Sequence, residues 1–164
     1  MKKNIVILDL DGTTCDDSHR AHYLSGPNKD YDKYHSLCAD DPPIKPMIMF
    51  VRAALTTLTP TIELELWAVT GRDEMRRGLT MDWLRRMGVF ADVVLMRPKG
   101  NYDPAPQMKI ELVEDALKAH NRAGHMREHI LVVIDDREDV CDAFRERGIL
   151  ALQTGPIMEL KSNG

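Results

Sequence analysis

The 164-residue chain predicts an open, mainly parallel α/β sheet with helices on both faces, and three observations carry that expectation. Five short apolar runs recur, at residues 5–8, 64–69, 93–96, 130–134 and 149–152. Most are continuous rather than alternating, the pattern of strands covered on both sides. Stretches with helical spacing lie between them, and strands alternating with helices pair in parallel through right-handed crossovers.

Taken in order, the first run closes on Asp9 and is followed by an irregular segment, residues 12–45, that holds three of the six histidines and three of the four tyrosines. An insertion of that length after a strand is usually functional, so a flap or small cap beside a site is expected, not a separate domain. Pro46 suits a first helical turn, after which Met47, Phe50, Val51, Ala54, Leu55 and Leu58 keep to one stripe. Beyond the second run, Met75, Leu79, Leu84 and Met87 form another stripe, stopped by Gly88. Ile110, Val113, Ala116 and Leu117 mark a third helix after the third run. Val140, Cys141 and Phe144 mark a fourth, ending at Gly148 before the last run. A chain of this length supports one core, so residues 1–164 are expected to form a single domain.

Composition narrows the class. With 43% hydrophobic and 29% charged residues the chain reads as globular, which excludes wholesale disorder, collagen and coiled coil. No apolar run approaches the roughly 18 residues that cross a bilayer. The stretch after Met1, Lys2 and Lys3 is too short for a signal-peptide core. Three cysteines, an odd count without a close pair, fit reduced thiols, so a cytoplasmic location is expected. A net charge of -4 argues against sequence-blind adhesion to nucleic acid and leaves a small or terminal phosphate as the target.

The chemistry collects at the ends of the apolar runs, where open α/β sheets hold ligands. In Asp9-Leu10-Asp11-Gly12-Thr13, carboxylates two apart on a strand project together. Thr70-Gly71-Arg72 offers a hydroxyl, backbone N–H groups and a helix start, which suit a phosphate. Lys109, opening the third helix, is a point cation for phosphate or carboxylate. Asp135 and Asp136 follow five apolar residues and repel one another unless a cation compensates. Each has a plainer reading: an Asp-Gly turn, a helix cap by Thr70, a solvated lysine, and helix capping by one acid of the pair. Cys15, His19, His22, His35 and Cys38 are the right types for zinc, but their spacing fits no standard finger. Tyr23, Tyr31 and Tyr34 could stack on a base or pack the insertion. Arg72, Arg76, Arg77, Arg97 and Lys99 could form a positive rim or a solvated face.

Together, Asp9-x-Asp11-Gly12-Thr13, Thr70, Lys109 and Asp135-Asp136 resemble the haloacid dehalogenase superfamily across most of the chain. Arg20, Thr70-Gly71-Arg72, Asp135-Asp136-Arg137 and the stretch Arg97-Pro98-Lys99-Gly100-Asn101-Tyr102 resemble more closely the 3′-phosphatase domain of bacteriophage-type polynucleotide kinase-phosphatases. One departure is Ala105, where members commonly carry an aspartate four residues before the lysine; Asp103 is the nearest acid. No Gly-x-x-x-x-Gly-Lys-Ser/Thr loop is present, so the kinase half is lacking.

The resemblance implies a Rossmann-like sheet of order 3-2-1-4-5 and a magnesium-dependent phosphomonoesterase. Asp9 is then the nucleophile that forms an aspartyl-phosphate, and Asp11 the general acid and base. Asp9, Asp135, Asp136 and the Asp11 carbonyl face the metal. Thr70, Gly71 and Lys109 hold phosphate oxygens, and Arg20 and Arg72 serve substrate phosphate or site architecture. A carboxylate approaching an anionic phosphate at about 4 Å meets roughly 4 kcal/mol per charge pair at an effective dielectric near 20, so cations are obligatory. The implied substrate is a nucleic-acid 3′ end, without stable sequence-specific DNA binding. A 5′(3′)-nucleotidase acting on free mononucleotides is the alternative within the class. A catalytically silent phosphate- or metal-binding module is the alternative outside it.

Overall fold

The structure is a computed structural model that describes residues 4–58 and 63–155. In chain order it holds β1 (Asn4–Leu8), α1 (Ser18–Ala21), α2 (Tyr31–Ser36), α3 (Lys45–Leu58), β2 (Leu64–Asp73), α4 (Arg77–Arg86), β3 (Val93–Arg97), α5 (Ala105–Ala119), β4 (Ile130–Asp135), α6 (Glu138–Arg145) and β5 (Ala151–Gln153). Among the described residues the strands form one sheet of order β3-β2-β1-β4-β5, and every neighbouring pair is parallel. This is the expected fold, and it puts β1 in the centre with β2 and β4 on its flanks.

The unbroken apolar runs have a direct cause: β1 to β4 each feed two cores, whereas β5 gives only Ala151 to one of them. Ile5, Ile7, Trp67, Val69 and Val133 pack with Ile110, Val113 and Leu117 of α5 and with Val140, Cys141 and Phe144 of α6. Leu8, Leu66, Ala68 and Ile134 turn to the opposite face and meet Ile48 and Val51 of α3 and Trp83 and Leu84 of α4. Side chains alternate between faces along a strand, so a strand buried twice must be apolar at successive positions.

Two residues assigned to helix stripes lie outside. Phe50 is 55% exposed, because the buried edge of α3 runs through Ile48 and Val51 and a step of two residues turns about 200° away from Ile48. Met75 is 62% exposed, since it belongs to a single turn ahead of α4, whose buried face is Thr80, Trp83 and Leu84. The side chain of Leu58, and Met1, Lys2 and Lys3, lie outside the described residues.

A further difference bears on the site. β2 runs on to Asp73, so Thr70-Gly71-Arg72 is strand and not a helix start. Thr70 pairs with Met96 and Asp73 with Arg97, so the register shifts between them and leaves Gly71 and Arg72 as extra residues in a bulge. The following turn is capped by Asp73, which accepts from the Met75 N–H at 2.8 Å, and the helix-cap reading of Thr70 fails. Thr70 instead accepts the Arg72 N–H on its hydroxyl oxygen at 3.2 Å.

The segment after β1 folds back on itself. Cys15 bridges to Pro43, closing the insertion at its base. The Trp83 Nε1–H donates to the Asp41 carbonyl at 2.8 Å, fastening that base to α4. The fold predicts one simple energetic result. Phe144 is fully buried, and Phe144→Ala should cost about 3–5 kcal/mol, read as a lower urea midpoint with an unchanged slope.

Candidate active site

The site lies where β1 and β4 end. The Asp9 N–H donates to the Ile134 carbonyl at 3.0 Å, which lays Asp9 beside the end of β4 and its Asp135. Lys109, in the second turn of α5, reaches in from the adjacent helix layer. Its Nζ donates to Asp9 Oδ1 at 2.5 Å and to Asp135 Oδ2 at 2.6 Å. All three side chains are buried. Asp136 completes the group: Asp9, Asp135 and Asp136 each offer a carboxylate oxygen, all within 4.8 Å of one another. Gly12 makes room for it, with φ at +81° and a position where a Cβ would stand 2.5 Å from Asp136 Oδ2.

Charge governs this cluster. Burial pushes the Asp9 carboxyl up and the neighbouring Asp135 pushes the same way, against the pull of Lys109. Burial, then Asp135, lifts Asp136 to about 6. Burial works against the Lys109 ammonium, but Asp9 and Asp135 outweigh it and hold its pKa above the ordinary value. Three carboxylates share one ammonium, so the group is short of positive charge. An all-oxygen donor set with a charge deficit fits a hard divalent cation of the magnesium kind.

Asp11 stands apart from that group. Its carboxylate turns to two arginines, because the chain has left the strand at Leu8 and strict alternation no longer applies. Asp11 Oδ1 accepts from Arg20 Nη2 at 2.7 Å and from Arg72 Nε at 2.8 Å. Burial would raise its pKa, yet Arg72 and then Arg20 bring the carboxyl down to about 2. Both guanidinium groups are fully buried and also hold Asp41. Of the two roles weighed for Arg20 and Arg72, these contacts favour architecture. Thr70 is buried against Arg72, while Gly71 faces open space.

Asp41 is the residue that sequence reading missed. Within Asp40-Asp41-Pro42-Pro43 it looks like a turn acid. The one available signal was the need of two arginines for more counter-charge than Asp11 supplies. The solvated-lysine reading of Lys109 fails, because its side chain is buried, and buried Arg72 joins neither a positive rim nor a solvated face. Asp103 accepts from Asn101 Nδ2 at 2.8 Å, and the partners of Lys109 are Asp9 and Asp135, so Ala105 leaves it supported. Among the described residues the only metal-capable groups are Asp9-Asp135-Asp136 and Asp11-Cys15-Asp41, so the five cysteines and histidines do not assemble. The second of these groups is filled by Arg20 and Arg72. Tyr34 packs under Arg20, 4.0 Å from guanidinium to ring centre, and donates to Asp17. Tyr23 leans on His22, and Tyr31 is half exposed. Arg76 pairs with Asp32, Arg77 with Glu74 and the Val94 carbonyl, and Arg97 with Asn101 and the Asp103 carbonyl.

A central parallel sheet of this order, with buried acids and a lysine at its carboxyl edge, is the arrangement that the resemblance to the haloacid dehalogenase superfamily implied. The chain belongs to the family described as the polynucleotide kinase PNKP phosphatase domain, whose family model matches residues 3–156. Among solved structures it is similar to a chain of the Pnkp1/Rnl/Hen1 complex, at 24% identity and TM-score 0.69 over 95% of this chain and 47% of that one. The Pnkp1/Rnl/Hen1 RNA repair complex gives 23% identity and TM-score 0.70 over 95% of this chain and 43% of that one. The chain thus spans less than half the length of these relatives. A HAD family enzyme from Bacteroides thetaiotaomicron, in complex with magnesium and inorganic phosphate, gives 11% identity and TM-score 0.51 over 96% of this chain and 97% of that one. These likenesses show the fold. No curated protein sequence matches the chain. Among the described residues no helix is long and apolar enough to cross a membrane.

The charge deficit predicts a pH and metal dependence. A carboxyl near 6 in the fold against 3.8 ordinarily stabilises the protein below about pH 3.8 and loses that contribution as pH rises through about 6. In chelator, Tm should therefore decline across that window, and Asp136→Asn should flatten the decline. Magnesium at neutral pH should raise the Tm of wild type more than that of Asp136→Asn. Superimposable profiles for the two proteins would remove Asp136 from the repelling cluster.

Proposed function

We propose that the chain is a magnesium-dependent phosphomonoesterase that removes the 3′-phosphate from nucleic-acid ends through an aspartyl-phosphate on Asp9. The observation that carries this reading is the buried Asp9 carboxylate, held by Lys109 and set beside Asp135 and Asp136. Asp9 attacks phosphorus and the ester P–O bond breaks as Asp11 protonates the departing alkoxide. Asp11, ionised again, takes a proton from water, whose oxygen attacks the aspartyl-phosphate. Inorganic phosphate leaves and Asp9 is restored. The arginine pair favours the ionised form of Asp11 that this second step requires and works against the protonated form that the first step uses.

Lys109, Thr70 and the backbone at Gly71 hold the phosphoryl oxygens, placing donors where charge accumulates. Asp9, Asp135, Asp136 and the Asp11 carbonyl would hold the magnesium ion. When bound, the ion supplies the positive charge that lets an anionic carboxylate approach an anionic phosphate. Residues 1–164 act as one domain, with residues 12–45 as its flap. Free thiols at Cys15, Cys38 and Cys141 fit a reducing, cytoplasmic setting.

The choice of a nucleic-acid end rests on the family, which is that of a polynucleotide kinase's phosphatase domain. One observation favours a 5′(3′)-nucleotidase instead. Arg72, Arg76, Arg77 and Arg97 are all committed to protein partners, which leaves few cations to follow a strand. Assay of a 3′-phosphorylated oligonucleotide beside a panel of nucleoside monophosphates decides the point. Release of phosphate from the oligonucleotide is expected, and turnover of monophosphates alone would overturn the polymer reading. Asp9→Asn should lose activity by about 1000-fold or more on either substrate, with its fold intact by circular dichroism. Appreciable turnover by that variant would remove Asp9 as nucleophile, and a wild type silent with magnesium would favour a binding module.

A further inference from the structure

The Asp41 side chain is fully buried and accepts from His19, Arg20, Arg72 and Cys15. Its Oδ1 accepts from His19 Nε2 at 2.9 Å and Arg20 Nε at 2.7 Å. Its Oδ2 accepts from Arg20 Nη2 at 2.6 Å, Arg72 Nη2 at 2.7 Å and Cys15 Sγ at 3.4 Å. Arg20 comes from the insertion and Arg72 from the bulge of β2, so two cations from distant segments converge on one buried point. Their mutual repulsion in a low-dielectric interior must be offset by two anions, and Asp11 is only one. With Asp41 the set of two arginines and two aspartates is neutral.

The hydrogen bonds to Asp11 are one-sided. Arg20 Nη2, Arg72 Nε and Cys15 Sγ all address its Oδ1. Among the described residues no protein group is hydrogen-bonded to its Oδ2, and the side chain keeps 17% exposure. We propose that Asp41 is a positioning residue for the reaction: by fixing Arg20 and Arg72 it fastens one oxygen of Asp11 and leaves the other for the leaving group. Asp41 touches neither substrate nor metal. It acts through the two arginines, and the inference rests on the acid role given to Asp11 above.

That dependence supplies a readout that a purely structural residue would not move. An alkyl leaving group needs the proton that Asp11 delivers, whereas p-nitrophenolate departs without one. In Asp41→Asn, the single-turnover release of alcohol from whichever alkyl phosphate the wild type hydrolyses should slow about 30-fold or more. The first release of p-nitrophenolate from p-nitrophenyl phosphate, which precedes the water attack that also uses Asp11, should stay within about 3-fold of wild type, and KM for both should change little. Circular dichroism and tryptophan emission check the fold, since the Asp41 carbonyl holds the Trp83 indole.

Equal losses on the two substrates, or no loss on either, overturn the proposal and leave the phosphatase reading standing. A wild type that turns over neither substrate overturns both. If Asp41→Asn does not fold, the same ratio is read from His19→Ala, which removes one tie to Asp41 from a side chain that is 37% exposed. A shift of about 3-fold against the alkyl substrate is expected there. An unchanged ratio in that variant overturns the proposal.

Discussion

The ammonium of Lys109 between Asp9 and Asp135 is the contact on which the remainder of the molecule depends. Asp9 directly follows β1 and Asp135 ends β4, so the two can share a cation only if β1 and β4 are neighbours. The crossover from β3 to β4 satisfies that by placing α5 against the sheet, and the apolar side of α5 then carries Lys109 inward. Sheet order, helix packing and site are one arrangement. The large cores on either face supply the free energy that keeps three acids together against their repulsion.

The acidic residues divide into two groups with opposite electrostatic states. Asp9, Asp135 and Asp136 hold more negative charge than Lys109 balances, which is the condition for taking up a divalent ion. Asp11 and Asp41 are matched by Arg20 and Arg72, which leaves that group saturated. Two aspartates two positions apart, Asp9 and Asp11, are thereby given different chemistry. The exit of the chain from β1 after Leu8 frees their carboxylates to turn to separate partners.

Much of this was legible in the sequence, for physical reasons. Strands buried on two faces must be apolar throughout, and acids at their carboxyl ends stand out against that background, so Asp9, Asp135, Asp136 and Lys109 declared themselves. Phe50 and Met75 misled because apolar type does not fix rotational phase, and one lies on the outer side of its helix while the other precedes it. Thr70-Gly71-Arg72 reads as a helix start because a bulge gives no compositional signal beyond Gly71. Asp41 was hidden in a turn-like run, and its meaning comes only from contacts with residues about twenty and thirty positions away in the chain.

The pairing of Cys15 with Pro43 brings the two ends of the insertion side by side beneath it. A loop whose ends are already joined can change its length at small cost, about 0.6 kcal/mol of closure entropy for each doubling. The segment above that stem is therefore open to growth, shrinkage or replacement in evolution without disturbing the sheet, provided that an arginine and the stem aspartate are kept. Descendants of one ancestral scaffold could in this way diverge in what they admit while hydrolysing it by the same chemistry.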